Sequence, residues 1–275
     1  MKSPRRWIAW WTAGLFALAG SACGGAADEP ASPWNGWTTL RLKARAAPLL
    51  RGQVELRLRR GPEGLRLETS TSARFIGATI AQSETVTLLD AGTGHTREYR
   101  SYSRKKGRRY TFGEAGYSVE KLRPAEQGEI DGWTVTSREE FPYPASCAID
   151  GQPRPFDYYG MLLRLRELKL EASGDEVVLF VATSAGPQEY RIRVMESRVA
   201  QREFTNLGSG KKQTWPSREV RLRVAPTDPQ AEAGFLDMQG DVEIWVEAQS
   251  KTLLEIIGKI PKVPGKVKLE LSALG

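Results

Sequence analysis

The sequence predicts a mainly β protein: a strongly curved antiparallel sheet, or an open half-barrel, carrying one or two short helices. Three observations predict it. Apolar and polar residues alternate in twos along most of the chain, the period of a strand with one buried face. Turns rich in glycine and proline punctuate those runs. Roughly ten such runs in one body are too many to stay flat, so the sheet has to curl.

Taken in order, the first strands are the clearest. Leu40, Leu42, Ala44 and Ala46 alternate with Thr39, Arg41, Lys43 and Arg45; after a turn at 48–52, Val54, Leu56 and Leu58 alternate with Glu55, Arg57 and Arg59. Gly61-Pro62-Glu63-Gly64 is a turn by composition, and Leu65, Leu67 and Thr69 resume the same face, which makes a three-strand meander. Weaker patterns mark strands over 85–89, 96–103, 108–112 and 133–141. Pro142, Pro144, Pro153 and Pro155 then break the chain. Residues 156–166, FDYYGMLLRLR, place Tyr158, Leu162 and Leu165 on one face at helical spacing, with Met161 and Leu168 beside it, although Gly160 weakens a helix. Residues 177–181 are continuously apolar, as in a strand covered on both faces, and Tyr190, Ile192 and Val194 return to alternation. The same pattern recurs in Val220, Leu222 and Val224, in Val242, Ile244 and Val246, and in Val267, Leu269 and Leu271.

The N-terminus has a different grammar. Lys2, Arg5 and Arg6 precede an apolar run from Trp7 to Ala19, followed by Gly20, Ser21 and Ala22 and then Cys23, the three parts of an export signal. The run is too short for a membrane anchor, since helix rises ~1.5 Å per residue against a ~30 Å hydrocarbon core. Small residues directly before a cysteine resemble the lipobox of bacterial lipoproteins, whose cysteine carries the lipid, except that Gly20 stands where leucine is usual. Gly20-Ser21-Ala22 also satisfies ordinary signal peptidase, which would leave Cys23 unmodified. The expected organisation is a signal peptide over 1–22, a lipidated Cys23 with a flexible tether to residue 36, and one β-rich domain over 37–275. Gly24 and Gly25 lack the aspartate that retains such lipoproteins at an inner membrane, so the resemblance implies an outer-membrane protein facing the periplasm, attached through the lipid on Cys23.

The 275 residues carry a formal charge of +7, but three of the cations leave with the signal, so the mature chain is less basic than it looks. With 27% charged and 40% hydrophobic residues the composition is that of a folded domain. The two cysteines can pair only if Cys23 keeps its thiol; otherwise Cys147 is a single thiol, buried as a small apolar residue.

The C-terminal stretch DVEIWVEAQSKTLLEIIGKIPKVPGKVKLELSAL, with FDYYGMLLRLRELKL upstream and a strand-glycine-strand opening after a signal, resembles the exported bacterial family DUF3108. The likeness is one of pattern over most of 37–274. It implies an envelope protein rich in antiparallel strands and carries over no catalytic residue. A looser analogy runs to periplasmic lipoprotein-carrier half-barrels, which hold acyl chains in an apolar concavity.

His95, the only histidine, lies in a turn by composition and lacks companions for a metal site or a triad, so it reads as a solvated turn residue. Gly208-Ser209-Gly210-Lys211-Lys212 lacks the first glycine and the hydroxyl residue of a phosphate-binding loop, and reads as a basic surface loop. In residues 99–110, YRSYSRKKGRRY, the cations Arg100, Arg104, Lys105, Lys106, Arg108 and Arg109 interleave with tyrosines. Inside a cell that would suggest nucleic acid. For an exported chain nucleic acid is not the expected partner, and the polyanions are lipid head groups, lipopolysaccharide and wall polymers. The plainer reading is a hairpin turning at Lys105-Lys106-Gly107, with charged edges that discourage aggregation. Asp131, Glu139, Glu140, Asp150 and Asp157 crowd the proline-rich middle, where two of them meeting in space would make a glycosidase pair. Trp245 falls opposite the apolar set of its strand, covering a second layer or an exposed patch.

The function expected is that of a non-catalytic envelope lipoprotein: a binding or scaffolding module with an apolar concavity for a lipid or acyl chain, or a patch for another envelope protein. The alternatives are a cell-wall or glycan hydrolase using a carboxylate pair, and a purely structural component. No metal or cofactor is expected.

Overall fold

The computed structural model describes residues 32–45, 50–75, 78–124, 132–145, 148–149, 152–228, 235–261, 263 and 265–275. The export signal, Cys23, Cys147, Asp131 and Asp150 lie outside the described residues. The folded unit spans Pro33 to Gly275.

Strands dominate, as the alternation requires. They are β1 (Thr39–Arg45), β2 (Leu50–Gly61), β3 (Gly64–Phe75), β4 (Ala78–Asp90), β5 (Thr96–Ser103), β6 (Lys106–Phe112), β7 (Gly116–Arg123), β8 (Thr134–Pro142), the two-residue β9 (Ala148–Ile149) and β10 (Gln152–Pro153), β11 (Glu176–Thr183), β12 (Gly186–Asn206), β13 (Lys212–Pro226), β14 (Gln239–Glu247), β15 (Leu253–Lys259) and β16 (Val267–Leu274). One sheet takes fourteen of them in the order β11-β12-β13-β14-β15-β16-β1-β2-β3-β4-β5-β6-β7-β8, and β9 pairs with β10 apart from it. Its pairings are antiparallel except one. The end of β12 also runs parallel to β16, Thr205 opposite Ala273 and Asn206 opposite Leu274, which closes β12–β16 into a ring. At the other end β2–β8 form an arch that curls until Tyr117 Oη on β7 donates to the Thr183 carbonyl on β11, 2.9 Å away.

The single α-helix among the described residues, α1 (Tyr158–Arg164), runs into a 3-10 turn at Leu165–Glu167 and buries Met161 and Leu165 against the inner face of the sheet. It starts two residues later than its periodicity predicts. Phe156 instead exchanges backbone hydrogen bonds with Phe180 and Ala182, and Asp157 takes the N-cap, accepting from the amides of Tyr159 and Gly160. Gly160 has a packing reason: a Cβ there would stand 2.6 Å from Thr96 Oγ1.

Four expectations need adjustment. The fold begins before Trp37: Trp34 is buried, its ring 5.3 Å from Phe204, its indole N–H donating to the Pro216 carbonyl and its own carbonyl accepting from Thr252 Oγ1 at 2.6 Å. Long-range partners 182 and 218 residues away fix it, and no local pattern announces them. His95 is not solvated, because the turn before β5 folds its ring to 5.6 Å from Phe156 and buries it. β11 is covered on both faces only over Leu179–Ala182, since Val178 is exposed. β12 runs to 21 residues, although 195–201 show no alternation; backbone pairing to β13 holds them. Trp245 is buried rather than part of an exposed patch, lying under the Arg198 guanidinium at 3.7 Å.

Candidate functional site

Because side chains alternate across a strand, register alone says what lines the inner wall. One row across it reads Leu40, Leu56, Thr69, Thr85, Ser101, Arg108, and the next reads Leu42, Val54, Thr71, Ser83, Ser103, Lys106. Within four strand steps from β2 the wall passes from aliphatic to hydroxyl to cationic. Thr69 Oγ1 and Thr85 Oγ1 are buried and have no hydrogen-bond partner among the described residues.

At the aliphatic end of these rows lies a cavity of about 620 Å³, within the ~300–1,000 Å³ of small-molecule sites. Its walls come from β1–β3 (Leu42, Val54), from α1 (Tyr159, Leu162), from the ends of β15 and β16, and from Leu236 and Met238 just before β14; Lys106 reaches in from β6. Leu236 has a left-handed backbone, φ 56°. A non-glycine residue held there is strained, a feature found where surrounding structure imposes it. On the outer side of the same strand ends, Lys43, Arg51, Arg74 and Arg104 line a second, polar groove of about 560 Å³.

The opposite end of the interior is sealed. Asp157 is buried and accepts from Thr87 Oγ1 at 2.9 Å and Thr96 Oγ1 at 2.8 Å as well as from the helix amides, which pins α1 to β4 and β5. Burial outweighs those hydrogen bonds and pushes its carboxyl above the usual range. Tyr99, its ring tilted against those of Tyr110 and Tyr159, is pushed well above its usual range by the same burial.

The six cations singled out in the sequence divide between the faces of one hairpin. Arg100 and Arg109 lie on the outer face and hold Glu98 and Glu120, at 2.5 and 2.7 Å. Arg104, Lys105, Lys106 and Arg108 are exposed and have no acidic partner among the described residues. The hairpin turns at Arg104-Lys105, one residue earlier than composition suggests. Neither β5 nor β6 is an edge strand, so edge protection does not account for these charges.

The middle carboxylates are not brought together among the described residues. Asp157 caps α1, Glu139 pairs with Lys121 at 2.8 Å, and Glu140 pairs with Arg138 at 3.0 Å. A different pair sits deep in the fold: Glu219 accepts from Arg198 at 2.9 Å and Arg202 at 2.5 Å, and Glu255 faces Arg202 and Lys268. Arginine lies between these carboxylates, so the set is a neutralised ion cluster. The basic loop over 208–212 is a hairpin turn in which Lys212 pairs with Glu203. Among the described residues no three His, Cys, Asp or Glu side chains stand close enough to hold a metal, and no helix is long and apolar enough to cross a membrane.

Sequence reasoning missed the hydroxyl rows and the contributions of α1 and Leu236 to the cavity. The rows had a signal, because Thr69 already broke the leucine run of β3. The cavity had none, since residues far apart in sequence build it.

No protein-family model matches the chain, and no curated protein matches it. Among solved structures its fold is similar to that of a β-barrel-like protein of a domain of unknown function, DUF1849, from Brucella abortus, with a TM-score of 0.51 and 11% sequence identity over 86% of this chain and 95% of that one. At that identity the likeness is one of fold. The chain is a β-rich, barrel-like domain.

Proposed function

We propose that this protein is a non-catalytic lipoprotein of the cell envelope that holds the apolar chain of a lipid in the cavity between α1 and the inner face of β1–β3, β15 and β16. Cys23 carries the anchoring lipid, the domain faces the periplasm from the outer membrane, and the domain is of the DUF3108 kind. The observation that carries the reading is the cavity itself, an aliphatic space of about 620 Å³ under a short amphipathic helix. The N-terminal signal, with its small residues before Cys23, supports the location. The exposed cations Lys43, Arg51, Arg74 and Arg104 beside the same strand ends support an approach to an anionic lipid surface, where each contributes about 1 kcal/mol and salt weakens them.

The test is mass spectrometry of an organic extract from the chain purified without detergent after export. Lipid in stoichiometric amount is expected. A clean extract contradicts the reading and leaves a packed structural or protein-binding domain.

A further inference from the structure

We propose that the bound molecule is an anionic amphiphile, with Lys106 and Arg108 holding its head group on the inner wall while its chain lies in the aliphatic cavity. The inference rests on the chain-holding function above and adds the chemistry of the other end of the ligand.

The rows of the wall are the first argument. From Leu56 and Val54 through Thr69, Thr71, Thr85, Ser83, Ser101 and Ser103 to Arg108 and Lys106, each residue is the register partner of the next. Strands lie ~4.8 Å apart, so the wall changes from hydrocarbon to cation over about 19 Å. That is the polarity sequence of a lipid: chain, then ester and hydroxyl oxygens, then charge. Hydroxyls both donate and accept, and two of them, on Thr69 and Thr85, are buried with no hydrogen-bond partner among the described residues. A buried polar group left unmatched is costly, which suits a wall built to meet a polar partner.

Charge is the second argument. Lys121, next to Arg108 on the inner face, is neutralised by Glu139 at 2.8 Å, and Arg109, on the outer face, by Glu120. Lys106 and Arg108 have no such carboxylate among the described residues, and Lys106 lines the cavity directly. Two residues apart on one strand, they stand ~7 Å from each other at the backbone. An ammonium and a guanidinium group on one face of a strand suit a phosphate or carboxylate, which arginine binds with two parallel hydrogen bonds.

Equilibrium binding of three ligands with the same twelve-carbon chain, dodecanol, dodecanoate and dodecyl phosphate, to the full mature chain tests this. The two anions should bind about tenfold or more tightly than the alcohol. A Lys106→Ala/Arg108→Ala variant should lose that margin and keep its affinity for the alcohol, and a Lys105→Ala variant at the turn should keep both. Which anion binds more tightly identifies the head group. Equal binding of alcohol and anions by the unaltered protein, or a margin that survives in the first variant or vanishes in the second, overturns the head-group assignment while leaving the chain site standing. Failure of all three ligands to bind removes the chain site itself.

Discussion

The closed ring of β12–β16 and the open arch of β2–β8 are built from the same antiparallel alternation and use it differently. In the ring, Val220, Leu222, Val224, Val242, Ile244 and Val246 are all but completely buried, the buried carboxylates Glu219 and Glu255 have cationic partners, Glu247 accepts from the Ser250 amide and hydroxyl, and Ser217 Oγ is buried without a partner among the described residues. In the arch, threonine and serine hold several of the equivalent inward positions, the hydroxyls of Thr69, Thr85 and Ser137 are buried without partners among the described residues, and the inner cations Lys106 and Arg108 have no acidic partner there. The ring uses its inward positions for aliphatic packing. The arch leaves hydroxyls and cations facing the interior. Both regions wall the cavity with α1: β2 and β3 from the arch, β15 and β16 from the ring.

That contrast breaks most visibly at Glu219. Replacing it with alanine strands Arg198 and Arg202 over a buried face, and breaking a buried ion pair on one side costs about 3–5 kcal/mol. Urea denaturation of Glu219→Ala should show a loss of that size; a loss below about 1 kcal/mol, the worth of an exposed pair, would place the cluster in solvent. In the arch the sign reverses. Thr69→Val keeps the shape and removes an unmatched hydroxyl, so the unliganded protein should gain about 1 kcal/mol. A loss there would mean that the hydroxyl is already satisfied. The smallest effect is the pH dependence of the seal. Since the folded-state pKa of Asp157 is raised, the folded protein holds its proton more tightly than the unfolded chain does. Stability from this group is therefore fully present below the unfolded carboxyl value and is lost as pH rises through the raised one. Relative to Asp157→Asn, the unaltered protein should be more stable near pH 4 than near pH 7, and denaturation at both values reads the difference.

How much of this the sequence announced follows the same division. The meander of β1–β3 and the strands at Val220, Val242 and Val267 were legible because a face buried against apolar neighbours imposes strict alternation. Residues 195–206 of β12 were not, because Arg198 and Arg202 turn toward Glu219 and hide the period. Trp34 and His95 were misplaced for a related reason: both are buried by partners far away in sequence. Of the six cations in 99–110 the pattern showed the cluster, but only register separates Lys106 and Arg108, on the inner wall, from Arg100 and Arg109, which hold acids outside. The cavity was foreseen only as a concavity that a curled sheet would make, and its walls come from elements that no local motif links.

The central claim is that an alkyl chain occupies the cavity beside Leu42, Val54 and Leu162, and a chain-length series tests it most directly. Calorimetric titration with carboxylates of increasing length should show affinity rising about fourfold per methylene, the equivalent of ~0.8 kcal/mol for each buried CH₂, until the space is full and the curve flattens. Affinity independent of chain length would mean that the ligand touches only the cations and that the cavity is not its site.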